Sequence, residues 1–295
     1  MIAAGAREES NQAQPTDERP DHDERIDAIA ALTPVTAIET PLPPIQLATD
    51  DILLFPRGPS AGECLHRMYE LADFADSAKW PEAIERALHE HPIPVSTSDA
   101  PAANLPAMMA RLLADTVATE LVPGMRLDTI PVRRRMNELE FLFPAESLDF
   151  TALRRMLVAH GFPDVALEAG TLRGFVKGFI DLIVEHEGRF WIVDWKSNHL
   201  GLTPADYNEV ALHAAMASHA YHLQALFYTV ALHRYLRLRL RDYAFERHIG
   251  GYLYLFVRGV RPDWRDGDRP AGVHVGKPSL ELIEAIDRLM QGVAA

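Results

Sequence analysis

The sequence predicts a mixed α/β fold, a β-sheet with helices packed on it. Two neighbouring runs rich in β-branched and aromatic residues, 174–185 and 189–196, flank a tight-turn signal and read as paired strands. Their apolar residues fall on both faces, as in a sheet covered on both sides. Segments of strand character alternate with segments of helical period, and no internal repeat is present.

Residues 1–50 are rich in Pro, Asp, Glu and Ala without sustained periodicity. They read as an acidic, Pro-rich leader or linker, which leaves 51–295 as the domain. "FPRGPSAGECLHRMYELADF" (55–74) opens a helix: Ser60 and Glu63 have capping-box spacing, and Leu65, Met68, Tyr69 and Ala72 form an apolar stripe. Residues 91–106 read as loop, with a helix over about 107–120 behind them. "NELEFLFP" (137–144) alternates like a strand and stops at Pro144. A short helix follows near 150–160. Beyond the paired strands, 207–240 is one long helix or two abutting ones. "GGYLYLFVRGV" (250–260) reads as a strand and "SLELIEAIDRLM" (279–290) as a closing helix.

The chain has 295 residues, 48% hydrophobic and 24% charged, the balance of a globular protein with ample core. No run of 18 or more apolar residues predicts a membrane span, and the first residues lack the basic start and apolar core of a secretory signal. The single cysteine, Cys64, excludes an internal disulfide and any metal centre held by four cysteines of this chain. A reducing cytoplasm suits this composition. The net charge is −13, but ten acids and three bases in residues 1–50 supply −7 of it, leaving −6 for the other 245 residues. With local basic clusters at "VRRRMN" (132–137) and "LHRYLRLRLRDY" (232–243), net charge leaves nucleic-acid binding open.

Three charges stand inside the paired strands. In "GFIDLIVEHEGRFWIVDWKSN" (178–198), a turn centred between Glu187 and Gly188 places Asp181 opposite Asp194, unless a bulge breaks the register. Alternation puts Lys196 on the Asp194 face and Trp195 on the other. Two carboxylates this close repel unless a cation lies between them. Oxygen ligands suit Mg²⁺ or Mn²⁺, and the Lys can hold a water or offset charge on a phosphate, which together would serve phosphodiester hydrolysis. The competing reading is a structural Asp194–Lys196 pair with Asp181 capping a turn.

These residues resemble the C-terminal nuclease domain of RecB, the beta subunit of exodeoxyribonuclease V, in the PD-(D/E)XK superfamily. "GFIDLIVEHEGRFWIVDWKSNHLG" carries the likeness. "FPRGPSAGECLH" (55–66), "YHLQALFYTVALHRYLRLRL" (221–240) with Gln224 and Tyr228 as Q-x-x-x-Y, and "GGYLYLFVRG" (250–259) agree in order and spacing. The likeness covers about 55–290. It implies a restriction-endonuclease-like mixed central sheet flanked by helices, and a metal-dependent DNA exonuclease acting in recombinational double-strand-break repair. It also implies Mg²⁺ (or Mn²⁺) held by His66, Asp181, Asp194 and the Trp195 backbone carbonyl, with Lys196 as the catalytic lysine. RecC- and RecD-like subunits and a helicase portion are the implied partners. No G-x-x-x-x-G-K-[ST] phosphate loop occurs in this sequence, so the helicase portion is absent from it.

The supporting residues keep two readings each. Glu70, one helical turn after His66, either orients it or faces solvent. Gln224 and Tyr228 share a helix face, as a surface Gln with a core Tyr or as a pair that helps place DNA or Lys196. Arg133 to Arg135 and the Arg residues at 234, 237, 239 and 241 either contact phosphates or form a solvated face. Glu138 and Glu140 share a strand face with no assigned role. The alternative to an enzyme is a catalytically silent nuclease-fold module that binds DNA or RecC/RecD-like subunits.

Overall fold

A computed structural model describes residues 47–94, 104–164 and 169–292. Most of the expected leader and much of the loop before the second helix lie outside the described residues. Helices α1 (Pro59–Leu71), α2 (Trp80–Glu90) and α3 (Leu105–Ala118) precede strand β1 (Arg135–Asp149) and helix α4 (Phe150–Ala159). Strands β2 (Thr171–His186) and β3 (Arg189–Lys196) follow, then α5 (Glu209–Ser218), α6 (Tyr221–Arg239), β4 (Ile249–Phe256), β5 (Val273–Gly276) and α7 (Leu280–Met290).

The strands form one mixed sheet in the order β1-β2-β3-β4-β5. All neighbours are antiparallel except β3 and β4, which run parallel. Alternate residues feed two cores, one on each face, as the two-faced apolar pattern predicts. Val193, Trp195, Leu253 and Leu255 pack with α1 to α3. Ile192, Tyr252, Tyr254 and Phe256 pack with α4 to α7. Among the described residues, no helix is long and apolar enough to cross a membrane.

Several expectations shift. β1 runs on through Pro144 to Asp149, because β1 is an edge strand, where a proline is tolerated. No capping box forms: Gly58 is the N-cap of α1, Pro59 opens it, and Glu63 reaches His91 at 3.2 Å instead. The 207–240 region is two helices, broken at Ala220, whose φ of 56° is left-handed. The strand expected over 250–260 ends at Phe256 and passes into a 3₁₀ turn, Val257–Gly259. Within that turn, buried Arg258 donates to the carbonyls of Ser197, Ile52, Phe55 and Pro56 at 2.7–2.9 Å. It thereby ties the exit of β3 to the entry of α1.

Candidate active site at the fork of the central hairpin

The β2–β3 turn falls at Glu187–Gly188, both with positive φ (50° and 74°), the conformation that a two-residue hairpin of matched twist requires. It sets the register His186–Arg189 through Leu182–Val193, as the sequence implies. The ladder stops there, one pair short of the two aspartates. Ile183 and Ile180 both enter the α4–α7 core although they are three residues apart, while Leu182 and Val184 enter the other core. The alternation of β2 therefore breaks at Asp181, where β2 parts from β3.

The two carboxylates stand on the two arms of the fork, Asp181 on β2 and Asp194 on β3. Asp181 turns toward α1: its Oδ2 accepts the Trp195 N–H at 2.9 Å and lies 3.5 Å from His66 Nδ1. The Asp181 carboxylate thus satisfies a strand N–H that loses its ladder partner at the fork. Asp194 Oδ2 lies 3.1 Å from Lys196 Nζ, with both side chains almost wholly buried. Asp181 and Asp194 are not a ladder pair, because the β2–β3 ladder ends at Leu182–Val193. They stay close enough that both raise the pKa of the Tyr254 hydroxyl, which burial, the larger cause, already pushes well above its ordinary value.

Lys196 sits in an aromatic corner. Its ammonium lies 3.9 Å from the ring centre of Tyr221 and 5.5 Å from that of Tyr254, which pairs with Asp194 across β3 and β4. The Tyr254 hydroxyl donates to Gln224 Oε1 at 3.0 Å, and Gln224 Nε2 donates to the Tyr228 hydroxyl at 2.9 Å. Gln224 and Tyr228, four residues apart on α6, thus form a chain that ends on the ring beside Lys196. The role of Tyr221 and Tyr254 is absent from the sequence reading. Tyr221 opens the Q-x-x-x-Y helix and Tyr254 lies at the centre of the apolar β4 stretch, the signals in the sequence that point to them.

At the fork, His66 and Asp181 line an open cleft of about 340 Å³ with Glu63, Arg67, Glu70 and Glu138, and Trp195 forms part of its wall. His66 reaches it because α1 lies close against the exit of β3. A Cβ on Gly62, one turn before His66, would come within 3.1 Å of Ser197 Oγ. Trp195 stacks on Tyr69 of the same helix, with ring centres 4.1 Å apart. Glu70 neither touches His66 nor stands alone: it pairs with Arg67, which also holds Glu90. Burial, and secondarily Glu70, raise the pKa of Glu138, which sits opposite Asp181 on β1 at a left-handed φ of 49°.

Two of the arginines with a possible phosphate role are engaged in packing. Arg135 lies over the Phe74 ring at 4.3 Å and 3.6 Å from Asp73. Arg234 pairs with Asp287 and lies over Phe143 at 4.6 Å. Arg133, Arg134, Arg237, Arg239 and Arg241 are exposed.

Among the described residues, no three His, Cys, Asp or Glu side chains close around one point as a ready-made metal cage. The donor set still fits a hard divalent cation. Mg²⁺ is bound through one or two carboxylates and keeps open positions for water and substrate phosphate, so a carboxylate–imidazole pair on an acidic, open cleft suits it.

A model of the PD-(D/E)XK nuclease superfamily matches residues 55–291. The chain is 34% identical over 276 residues to the RecBCD enzyme subunit RecB of Escherichia coli K12, covering 91% of this chain and 21% of that protein. The subunit of that name from Mycobacterium tuberculosis is 36% identical over 269 residues, 82% of this chain and 24% of its own length. That from Mycolicibacterium smegmatis is 33% identical over 305 residues, 93% and 27% respectively. The chain therefore spans about a fifth to a quarter of the length of these relatives. The matched span contains the forked hairpin, the helix that carries His66 and the Gln224–Tyr228 helix, and this chain belongs to the PD-(D/E)XK nuclease superfamily.

Proposed function

We propose that this chain is a DNA nuclease domain of the RecB type that uses Mg²⁺, with Mn²⁺ able to substitute, and acts on DNA ends in recombinational double-strand-break repair. The observation that carries the proposal is the fork at the end of β3. It brings Asp181 with His66 to an open acidic cleft and buries Asp194 with Lys196 directly behind it. A D-x-K triplet alone is common; one that shares a sheet end with a second Asp and a helix His is far less so.

In this reading Asp181, Asp194 and His66, with the Trp195 carbonyl, hold the ion. Bound there, the cation supplies charge neutralisation at the scissile phosphate and a lowered pKa for water. The chain's own groups do the rest. Lys196 donates to the attacking water, or to the oxygen on which charge develops, from a position fixed by the Asp194 carboxylate and two tyrosine rings. Gln224 and Tyr228 act through Tyr254 as positioning residues. Asp181 is oriented by the Trp195 N–H, so its outward lone pairs remain directed to the cleft. By likeness to its relatives, the domain works in the cytoplasm with a helicase portion and RecC- and RecD-like subunits.

The test is release of acid-soluble nucleotides from linear DNA by the wild type in Mg²⁺, in Mn²⁺ and in excess chelator. Cleavage in both ions and none in chelator is the expected result. Binding of DNA without cleavage in either ion, alone and with partner subunits added, would establish a catalytically silent module instead.

A further inference from the structure

The cleft-side face of β2 continues well past the fork. Arg173, Phe175, Lys177, Phe179 and Asp181 occupy every second position and so lie on one face. The residues between them face inward: Val176 and Ile180 pack against the α4–α7 core. Among the described residues nothing covers the outward set near its far end, where Phe175 is 65% exposed and Leu142 on β1, opposite the neighbouring Lys177, is 60% exposed. Lys177 lies 4.9 Å from the ring centre of Phe179 and 3.2 Å from the Glu140 carboxylate, a solvent-exposed pair.

We propose that this strip is a platform for single-stranded DNA, with bases stacked on Phe175 and Phe179 and phosphates held by Arg173 and Lys177, leading the strand to Asp181. The inference rests on the nuclease reading and assigns the residues that carry the strand to its site. Exposed apolar side chains grouped among polar ones mark a surface that a partner covers, and Phe175 and Leu142 are grouped in this way. Alternate basic and aromatic side chains match a polymer that alternates anionic links and flat faces. Positions two apart on a strand repeat at about 6.8 Å, the scale of one extended nucleotide, and the strip from Arg173 to Asp181 spans about 27 Å. Paired bases keep their faces buried against one another, so a duplex cannot use the rings. The exposed Glu140–Lys177 pair is weak enough for a phosphate to displace. Basic and aromatic side chains recur along the strip, where Glu140 is paired with Lys177, and the acids gather at the cleft.

The experiment is fluorescence anisotropy of labelled oligothymidylate and of a labelled duplex with the full chain in EDTA, where no cleavage interferes. Wild type, Phe175→Ala, the double variant Arg173→Gln/Lys177→Gln and a control, Leu238→Ala, are compared. Leu238 is 85% exposed on α6, away from the strip. The substituted side chains are exposed, and circular dichroism checks the fold. Phe175→Ala should weaken single-strand binding at least about fivefold and leave duplex binding unchanged. The double variant should weaken both and flatten the salt dependence, since fewer counterions are released. Leu238→Ala should change neither. Unchanged single-strand affinity in Phe175→Ala, or no single-strand binding by the wild type, would overturn the platform; the first is also what a face built to dock another protein subunit would give. Magnesium-dependent cleavage by the wild type is scored separately. A chain that cleaves without needing Phe175 for binding keeps the nuclease reading and loses only the platform.

Discussion

Lys196 illustrates how much a single buried charge demands of its surroundings. An ammonium removed from water is tolerated only with a counter-charge and polarisable neighbours, and here Asp194 and the rings of Tyr221 and Tyr254 provide them. Lys196→Met leaves the Asp194 carboxylate buried without its partner. Chemical denaturation should show a loss of about 3–5 kcal/mol together with loss of cleavage. Gln224→Leu is milder and more diagnostic. It strands the buried Tyr254 hydroxyl, so stability should fall by about 1–3 kcal/mol while the ring beside Lys196 stays in place. DNA cleavage in that variant should fall through kcat with KM little changed, as a positioning role requires. A fall in stability alone, with kcat intact, would reduce the Gln224–Tyr228 chain to scaffolding.

At the scale of elements, the site depends on how closely α1 approaches the exit of β3. Gly62 permits it, being on the same helix face as His66 and against Ser197. Gly62→Val should push the helix outward and weaken the His66–Asp181 approach. Calorimetry should then report a lower affinity for Mn²⁺ than the wild type has, while the melting temperature moves by only a few degrees. Much of the element pattern is readable in the sequence, because the two-residue turn fixes the hairpin register and the apolar stripe of α1 fixes its buried face. What escapes is set by neighbours. Pro144 ends a strand only if its N–H is needed, and an edge position removes that need. β5 has four residues, too few to show a period. The break in alternation at Asp181 has no local signal either, since it arises where β2 parts from β3 and follows β1 alone.

Across the whole molecule, three histidines from separate elements meet between α5, α6 and β5. His222 and His274 are buried, their ring centres 5.6 Å apart, and exposed His213 lies 4.9 Å from His274. Burial first, and neighbouring imidazoles second, hold both buried groups at about 4. A folded pKa below the unfolded value of about 6.5 means that the unfolded chain binds more protons between these limits. Their contribution is therefore complete above about pH 6.5 and is lost as pH falls toward 4. Unfolding free energies from urea titrations at pH 7.5 and pH 5 should differ by on the order of 1–2 kcal/mol per group, with His222→Phe flattening the slope. The sequence displays these three residues without linking them, because only the packing of α5 and α6 on β5 brings them together.

The same long-range dependence governs the active site, where the sequence puts Asp181, Asp194 and Lys196 within one hairpin but the fork decides which way each points. The most direct measurement is the Mg²⁺-dependent rate of linear DNA hydrolysis by wild type, Asp181→Asn and Asp194→Asn, isosteric changes that remove charge but little volume. The fork account predicts cleavage by the wild type and a loss of at least about a hundredfold in each variant, at concentrations where both remain folded. Cleavage by either variant at the wild-type rate would contradict it.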